Sequence, residues 1–583
     1  MQTTDIIDMN TDYRLANIKK RQIKLRAMRR DILSSDSEKA LDMILDAPSP
    51  ATLVQSFPDQ DLYYLMHKIG PYDFIPVLAL ARSDQWEYIM DVEVWDNDRL
   101  DPVHMTKIFD VLFQADPKRL MRWIIKEKPD FFEFYLFRHM EIYIREHDEV
   151  PPDKFDDYIT LDDKFYFRFP DKPENPDEDA PPADSMHAWE LIEKMLRLVA
   201  DMDLSVFHGL LLETNALLTA EVEEEQYRLK NVRLAEKGFL PSHEAIGIYQ
   251  PTKLSSVRRR PENYFKTDSE PDPDIPLPPQ FFHGAIKGED LLKSALRLFD
   301  QDAALMLESE LAALINKVIS ADKIKLRTRQ DIEKAINKTC AGLNLGLELI
   351  LEGRPSAGAA KAAIEQYFLE DIFRTGSRAG IKLKTKAVEW FAKSFMNHRS
   401  LPLSFLGQDF LGVAGGLFLE RPMYFDNYTT GELYRDFRTI EDITHTNEQL
   451  DKIMAIDMIL GRIDADTTTF TQGILTYKTL VLTLWAKDRL GLAPTLEPIR
   501  VEDFRQFFTQ FFSDAVRNAK DNIRQKDFLL WIAQAAHLEE ARIPRAFVQV
   551  AQDLINELED EYAGVSPDHI DPRFIPHFML TDT

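Results

Sequence analysis

The sequence predicts an all-α protein: a stacked, superhelical array of short helices in the N-terminal part, followed by a helical C-terminal domain. Three observations carry this prediction. Five times between Pro58 and Pro117 a proline or a Ser/Asp cap stands just ahead of an apolar helix-like stretch: PDQDLYYLM at Pro58, PYDFIPVLAL at Pro71, SDQWEYIM at Ser83, PVHMTKIFDVL at Pro102 and PKRLMRWI at Pro117. Proline suits the first helical turn, where its missing N–H has no intrahelical partner and its φ is already helical. The spacing of roughly 13 to 18 residues leaves room for a short helix and a tight turn each time. Strand-like runs are few, and about ten further helix-patterned stretches follow Gly288.

In chain order, residues 1–46 read as a basic amphipathic helix. Arg14 to Arg30 holds eight Lys or Arg and no acid, with Leu15, Ile18, Leu25, Met28 and Ile32 at mostly helical intervals. Residues 47–150 form the short-helix array. Residues 151–186 change character: KFYFRF alternates aromatics and is the best strand candidate, a small β-hairpin near 160–170, and the acidic, Pro-rich stretch 171–185 reads as an exposed loop. Helical pattern resumes over 187–268, the Pro-rich run 269–281 reads as a linker, and 282–583 as the helical C-terminal domain. The most apolar window, LPLSFLGQDFLGVAGGLFLE at 401–420, carries Gln408 and Asp409 near its middle. A central aspartate costs about 2.5–3.5 kcal/mol on insertion, so the window reads as a buried soluble helix despite its Gly412/Gly416 spacing.

Composition bounds the function. A hydrophobic fraction of 44% beside 29% charged residues describes a globular chain rather than a disordered one. The net charge of −27 makes the body a poor ligand for phosphate backbones. The first thirty residues contain no continuous apolar run, and the single cysteine, Cys340, leaves no internal disulfide framework, so the expected compartment is cytoplasmic.

Few side chains announce chemistry. Along EVEEEQYRLKNVRLAEKG (221–238), Glu221, Glu224, Arg228, Asn231 and the neighbouring Arg233 form a candidate polar face without a clean apolar stripe opposite. Such a face either lines a pocket or lies exposed with an ordinary Glu224–Arg228 pair, Gly238 ending the helix. After it, Ser242 is the expected N-cap of a compact helix stopped by Pro251. The thirteen histidines are scattered without HExxH or Glu-x-x-His spacing, so no metal and no cofactor is expected. GRPSAGAAK (353–361) lacks the Lys-Ser/Thr that must follow the second glycine of a P-loop and reads as an αα-hairpin turn. Cys340, among small helical neighbours, reads as a packing thiol. The basic patch Lys19, Lys20, Arg21, Lys24, Arg26, Arg29 and Arg30 has three readings: docking on the chain's own body, an acidic partner protein, or nucleic acid or an anionic membrane surface.

Two stretches, SFPDQDLYYLMHKIGPYDFIPVLALARSDQWEYIMDVEVWDNDRLDP with RWI at 122–124 and EEEQYRLKNVRLAEKGFLPSHEAIGIYQP, resemble an uncharacterised bacterial protein family of unknown function, as does GGLFLERPMYFDNYTTGELYRDFRTIEDI. The resemblance implies a shared fold and carries no activity. The short-helix array is also similar, faintly, to the superhelical N-terminal domain of MgtE magnesium transporters; this chain shows neither their membrane helices nor their nucleotide-sensing domains, so only the geometry is carried over. Within the family-like stretches Asp91, Trp95, Arg122, Trp123 and Tyr249 are candidate interaction anchors. The preferred expectation is a non-enzymatic scaffold or adaptor that binds a partner protein through exposed aromatics and arginines. The alternative is an enzyme of unrecognised class with a Glu/Arg/Asn-lined pocket, and a weaker one is a regulator touching nucleic acid or membrane through residues 14–30.

Overall fold

Proline stands in the first turn of helices Pro50–Ser56, Pro102–Ala115, Pro117–Glu127 and Pro129–His139, where the chain loses no hydrogen bond by lacking an N–H. Helix Asp59–Ile69 begins directly after Pro58 and helix Ser83–Glu93 after Arg82. The carboxylate of Asp101 accepts the N–H groups of Val103 and His104, and that of Asp116 accepts the N–H of Arg119 at 3.0 Å. Asp116 ends one helix and caps the next, and Lys128 links the following pair in the same way. Single-residue links of this kind oblige successive helices to fold back on each other. At Pro71 the expectation fails: the helix there is only Ile75–Leu78. A helix opening at Pro71 would put Pro76 in its interior, where it could not donate back to residue 72.

The computed structural model describes residues 20–21, 23–145, 158–169, 183–250, 257–262, 264–265, 279–282, 290–352, 354–463, 475–512, 523–562 and 564–582. Lys19 and most of the acidic loop 171–185 and of the linker 269–281 lie outside them. The protein is mainly helical, 69% against 5% strand, and its strands form only small sheets of two or three, which is the predicted class. The chain divides into two units, one of Met1–Gln250, Arg258–Cys340 and Ser356–Asp371, the other of Pro251–Val257, Ala341–Pro355 and Ile372–Thr583.

In the first unit, helix Ser83–Glu93 packs on Asp59–Ile69 and Pro102–Ala115, the latter on Pro117–Glu127, and that helix on Pro129–His139. Trp86, Phe109, Phe132 and Tyr135 are fully buried between them, each worth about 1.5–3 kcal/mol of apolar burial. The Trp86 indole N–H is satisfied by Leu78 O at 3.0 Å. KFYFRF supplies strand Phe165–Arg168, paired antiparallel with Ile159–Thr160 in the expected hairpin and with Glu141–Ile144 on its other side. That third strand lies where the helical array was expected to continue. Three helices follow, Ala183–Met202, Leu204–Asn215 and Thr219–Ala235. Ser242 is the first residue of the short helix Ser242–Ala245 rather than its cap, which is Pro241.

The basic N-terminal segment is a helix over 23–34 that turns two arginines inward. Arg26 Nη2 donates to Glu308 Oε2 at 2.9 Å, both side chains below 10% exposed. Arg29, fully buried, donates to Ser56 O at 2.9 Å. Beside them the fully buried Asp61 accepts the backbone N–H groups of Gln280 and Phe281, each at 2.7 Å. Burial pushes the Asp61 carboxyl up to about 7, against the pull of Arg29 and the two N–H donors. Of the three readings of the basic patch, docking on the chain's own body is the arrangement found for Arg26 and Arg29.

The second unit has a separate core in which Trp485 meets Phe507, Phe511 and Phe528 edge-on at 5.1–5.7 Å between ring centres. The apolar window 401–420 forms helix Gln408–Phe418, eleven residues long, and no helix of the described residues is long and apolar enough to cross a membrane. Arg435 is held by Asp426 and by both oxygens of Asp442, all at 2.8 Å. Helices Arg329–Ile350 and Leu369–Ala392 cross through glycines: a Cβ on Gly376 would lie 2.1 Å from Gly342 O, and one on Gly346 2.0 Å from Ile372 O. Gly376→Ala is therefore expected to lower the unfolding free energy by about 2–3 kcal/mol in urea titrations. Gly358→Ala, where a Cβ meets nothing within 4 Å, is expected to be neutral or slightly stabilising.

Candidate functional site

Helix Thr219–Ala235 carries its charges all round and buries only Gln226 and Leu234. Tertiary ion pairs therefore set its orientation. Arg233 grips Asp91 of helix Ser83–Glu93 with two parallel bonds, Nε to Oδ2 and Nη2 to Oδ1, both 2.8 Å, and lies 3.2 Å from Glu87. Lys128 also binds Glu87. Asp91 is 6% exposed; burial raises its carboxyl, and Arg233 opposes that shift by hydrogen bond and charge. The helix ends at Gly238, whose φ of +88° and 2.7 Å approach to Ala313 Cα, measured from a Cβ built there, admit no side chain. Phe239 N–H closes the turn onto Leu234 O at 3.1 Å.

Beside this helix opens a cleft of about 450 Å³, bounded by residues 91–98, by Tyr227, Lys230, Asn231 and Leu234, by 239–242 and by the turn 319–327 after helix Gln301–Ala321. Its floor is aromatic: the rings of Trp95 and Tyr227 are 5.7 Å apart. The Lys230 ammonium sits 4.6 Å from the Trp95 ring centre and 5.4 Å from that of Tyr227. Among the described residues it makes no hydrogen bond or ion pair. Burial brings its amine down to about 8, with Asp91 pulling the other way. Under the cleft, Glu93 Oε1 lies 2.7 Å from the Tyr63 hydroxyl and 2.6 Å from His67 Nε2, and the same hydroxyl reaches Leu326 O at 2.6 Å. Burial and then the Glu93 charge push the Tyr63 hydroxyl far up, so it stays protonated. Lys325 pairs with Asp96 at 2.6 Å and Arg327 with Asp101 at 3.3 Å, while Leu100 N–H donates to Glu223 at 3.1 Å. These bonds hold the walls of the cleft in register.

A family model described as a family of unknown function, DUF6178, matches residues 17–581. The chain belongs to this family. No curated protein and no solved structure shows a significant match to this DUF6178 chain. None of these comparisons shows the expected likeness of the N-terminal array to MgtE.

The residues singled out from the sequence scatter over this geometry. Asn231 lines the cleft and Arg233 stands behind it, but Glu221, Glu224 and Arg228 are exposed on another side of the helix. Arg228 pairs with Glu225 at 2.7 Å, three residues back, instead of with Glu224. None of these three residues lines the cleft. Four of the five expected anchors are buried: Asp91, Trp95, Trp123 and Tyr249 are each below 9% exposed. Trp123 packs edge-on against Trp86, and the Tyr249 hydroxyl lies 2.9 Å from Asp322. Only Arg122 is exposed, away from the cleft, its Nε bonded to Lys118 O. In the basic patch Lys20, Arg21, Lys24 and Arg30 face solvent. Cys340 is buried, which pushes its thiol up and makes it a packing residue. Ser356 caps helix Ala357–Gln366 by accepting Ala359 N–H at 3.2 Å, so the P-loop-like run is a helix–helix turn. Among the described residues no group of three potential metal-ligating side chains gathers. Lys230, Glu93, Tyr63 and Arg327 were missed, because each acquires meaning only from partners far away in the chain.

Arg233→Met takes from the buried Asp91 its two parallel hydrogen bonds and its nearest counter-charge and is expected to cost about 2 kcal/mol at neutral pH, discounted for the partial exposure of Arg233. A carboxyl whose folded pKa lies above its unfolded value stabilises below the unfolded pKa and loses that contribution as pH rises. The deficit of Arg233→Met should accordingly shrink as pH falls from 7 toward about 4, as denaturation at a series of pH values would measure.

Proposed function

We propose that this protein is a non-enzymatic helical scaffold of the cytoplasm, which receives an acidic segment of a partner protein in the cleft between residues 91–98, 227–242 and 319–327. The observation that carries this reading is Lys230, a half-buried ammonium laid across two aromatic rings that meets no acceptor among the described residues. A cation in that setting is short of hydrogen bonds, and a carboxylate arriving on a partner would supply them inside an aromatic collar. Asn231 beside it can donate to, or accept from, the backbone of the same segment. Further support comes from the chain itself, since both long family-like stretches contribute to the walls, Asp91 and Trp95 from the first and Tyr227 to Ser242 from the second. The single cysteine supports a reducing compartment. An enzyme built on Glu221, Glu224 and Arg228 gains no support, because their side chains are exposed.

The test is quantitative affinity capture with the full-length chain. A stoichiometric partner retained by wild type and by Glu221→Ala should be weakened at least about tenfold by Lys230→Met, with the thermal transition unchanged. Since the Lys230 amine titrates near 8, capture by wild type should also fade as pH rises through that value. A partner set identical for wild type and Lys230→Met would refute the reading.

A further inference from the structure

Among the described residues, burial presses three lysine amines toward the neutral form: Lys68 and Lys230, both brought down to about 8, and Lys487. Geometry separates them. The Lys68 amine donates to Leu33 O at 2.6 Å and to Ser35 O, and that of Lys487 to the carbonyl and hydroxyl of Thr495 at 2.8 and 2.9 Å. Both residues are buried, which keeps reagents away from them. Lys230 alone of the three lines an opening, the cleft of about 450 Å³, and its nitrogen meets the rings of Trp95 and Tyr227 instead of an acceptor.

A lysine becomes a nucleophile when an apolar setting removes its proton and an electrophile can reach the freed lone pair. Lys230 meets both conditions. Ring faces hold an ammonium less firmly than a carboxylate does. Lys128, Lys237 and Lys325, by contrast, each lie against a carboxylate, of Glu87, Asp59 and Asp96. The cleft is within the range of about 300–1,000 Å³ usual for small-molecule sites, so a small reagent can enter it.

We infer that Lys230 is an acylation site, at which a small activated acyl group is transferred to the amine and the charge that the cleft offers a partner is removed. The neutral amine attacks the acyl carbon and a C–N bond forms. The C–O bond to phosphate, or the C–S bond to a thiol, breaks with its electron pair going to the leaving group, and the amine proton passes to water. The effect on docking rests on the partner reading above; the chemistry does not. The full-length chain would be incubated with acetyl phosphate and, separately, with the thioester S-acetyl-N-acetylcysteamine over a range of pH, and acetylation at each lysine followed by peptide mass spectrometry. At pH 8 Lys230 should react at least about tenfold faster than the exposed Lys24 and Lys323, while Lys68 and Lys487 stay unmodified. Its rate should climb with pH and level off above about 8, as the amine loses its proton. The faster reagent identifies the leaving group that the cleft accommodates. Acetylation should also abolish partner capture by wild type and spare capture by Lys230→Arg, which keeps the charge and lacks the amine. Acetylation of Lys230 no faster than that of Lys24 and Lys323 with both reagents, or a rate without a plateau, would overturn the inference. Fast acetylation of Lys230 beside undiminished capture would uphold the site and count against the partner reading instead.

Discussion

The buried pair of Arg26 and Glu308, with Arg29, Asp61 and Gln280 around it, is the contact on which the architecture of the first unit rests. It joins a helix near residue 30 to another near residue 308, and Asp61 ties both to the backbone at 280 and 281. Charges taken out of water cost several kcal/mol each unless they meet each other with good geometry. The cluster is therefore less a source of net stability than a demand for one arrangement. Any other placement of the 23–34 helix would strand two arginines, Asp61 or Glu308 without a counter-charge, which penalises alternatives more than it rewards the native packing. Gln280 adds a weaker tie, its amide lying 3.3–3.4 Å from Glu308.

The cleft of the first unit inherits its shape from this constraint. Helix Gln301–Ala321 is about 30 Å long at 1.5 Å per residue. Its end leads into the 319–327 turn that walls the cleft. Glu308, two turns from the start, is the point at which the basic helix seizes it. The partner-side cleft has a lock of its own, in which Arg233 neutralises Asp91 behind the wall and so fixes the face that helix Thr219–Ala235 presents. That face is the one with Tyr227, Lys230 and Asn231. Glu221, Glu224 and Glu225 of the same helix are left to solvent.

What could be read from the sequence was what is decided locally. Proline at a first turn, aspartate as a cap and the alternation in KFYFRF act over a few residues, and the helices and the hairpin follow them. Pro71 misled because the second proline, at 76, outweighs the first. The anchors misled for a different reason: Trp95, Trp123 and Tyr249 are residue types that serve equally at interfaces and in cores. Only the positions of Tyr227, Trp86 and Asp322, supplied by the fold, decide between the two. Strand Glu141–Ile144 was missed because its partner begins more than twenty residues further on, with a masking helix-like pattern before it. Docking of the basic patch on the chain's own body was one of three readings, but the partner of Arg26 could not be read, since Glu308 is 282 residues away. The even spread of charge on helix Thr219–Ala235 hid its functional side, because no apolar stripe declared which face was covered.

The claim that the Arg26–Glu308 pair fixes the first unit is tested most directly by a double-mutant cycle on Arg26→Met and Glu308→Met, measured as urea-unfolding free energies of the full chain. Each single change removes one half of the closest charge pair of the buried cluster and should lose about 3 kcal/mol, while the double replacement, apolar on both sides, should lose less than either. A coupling of about 2 kcal/mol or more would agree with this account. Strictly additive losses, with a coupling within about 0.5 kcal/mol of zero, would contradict it.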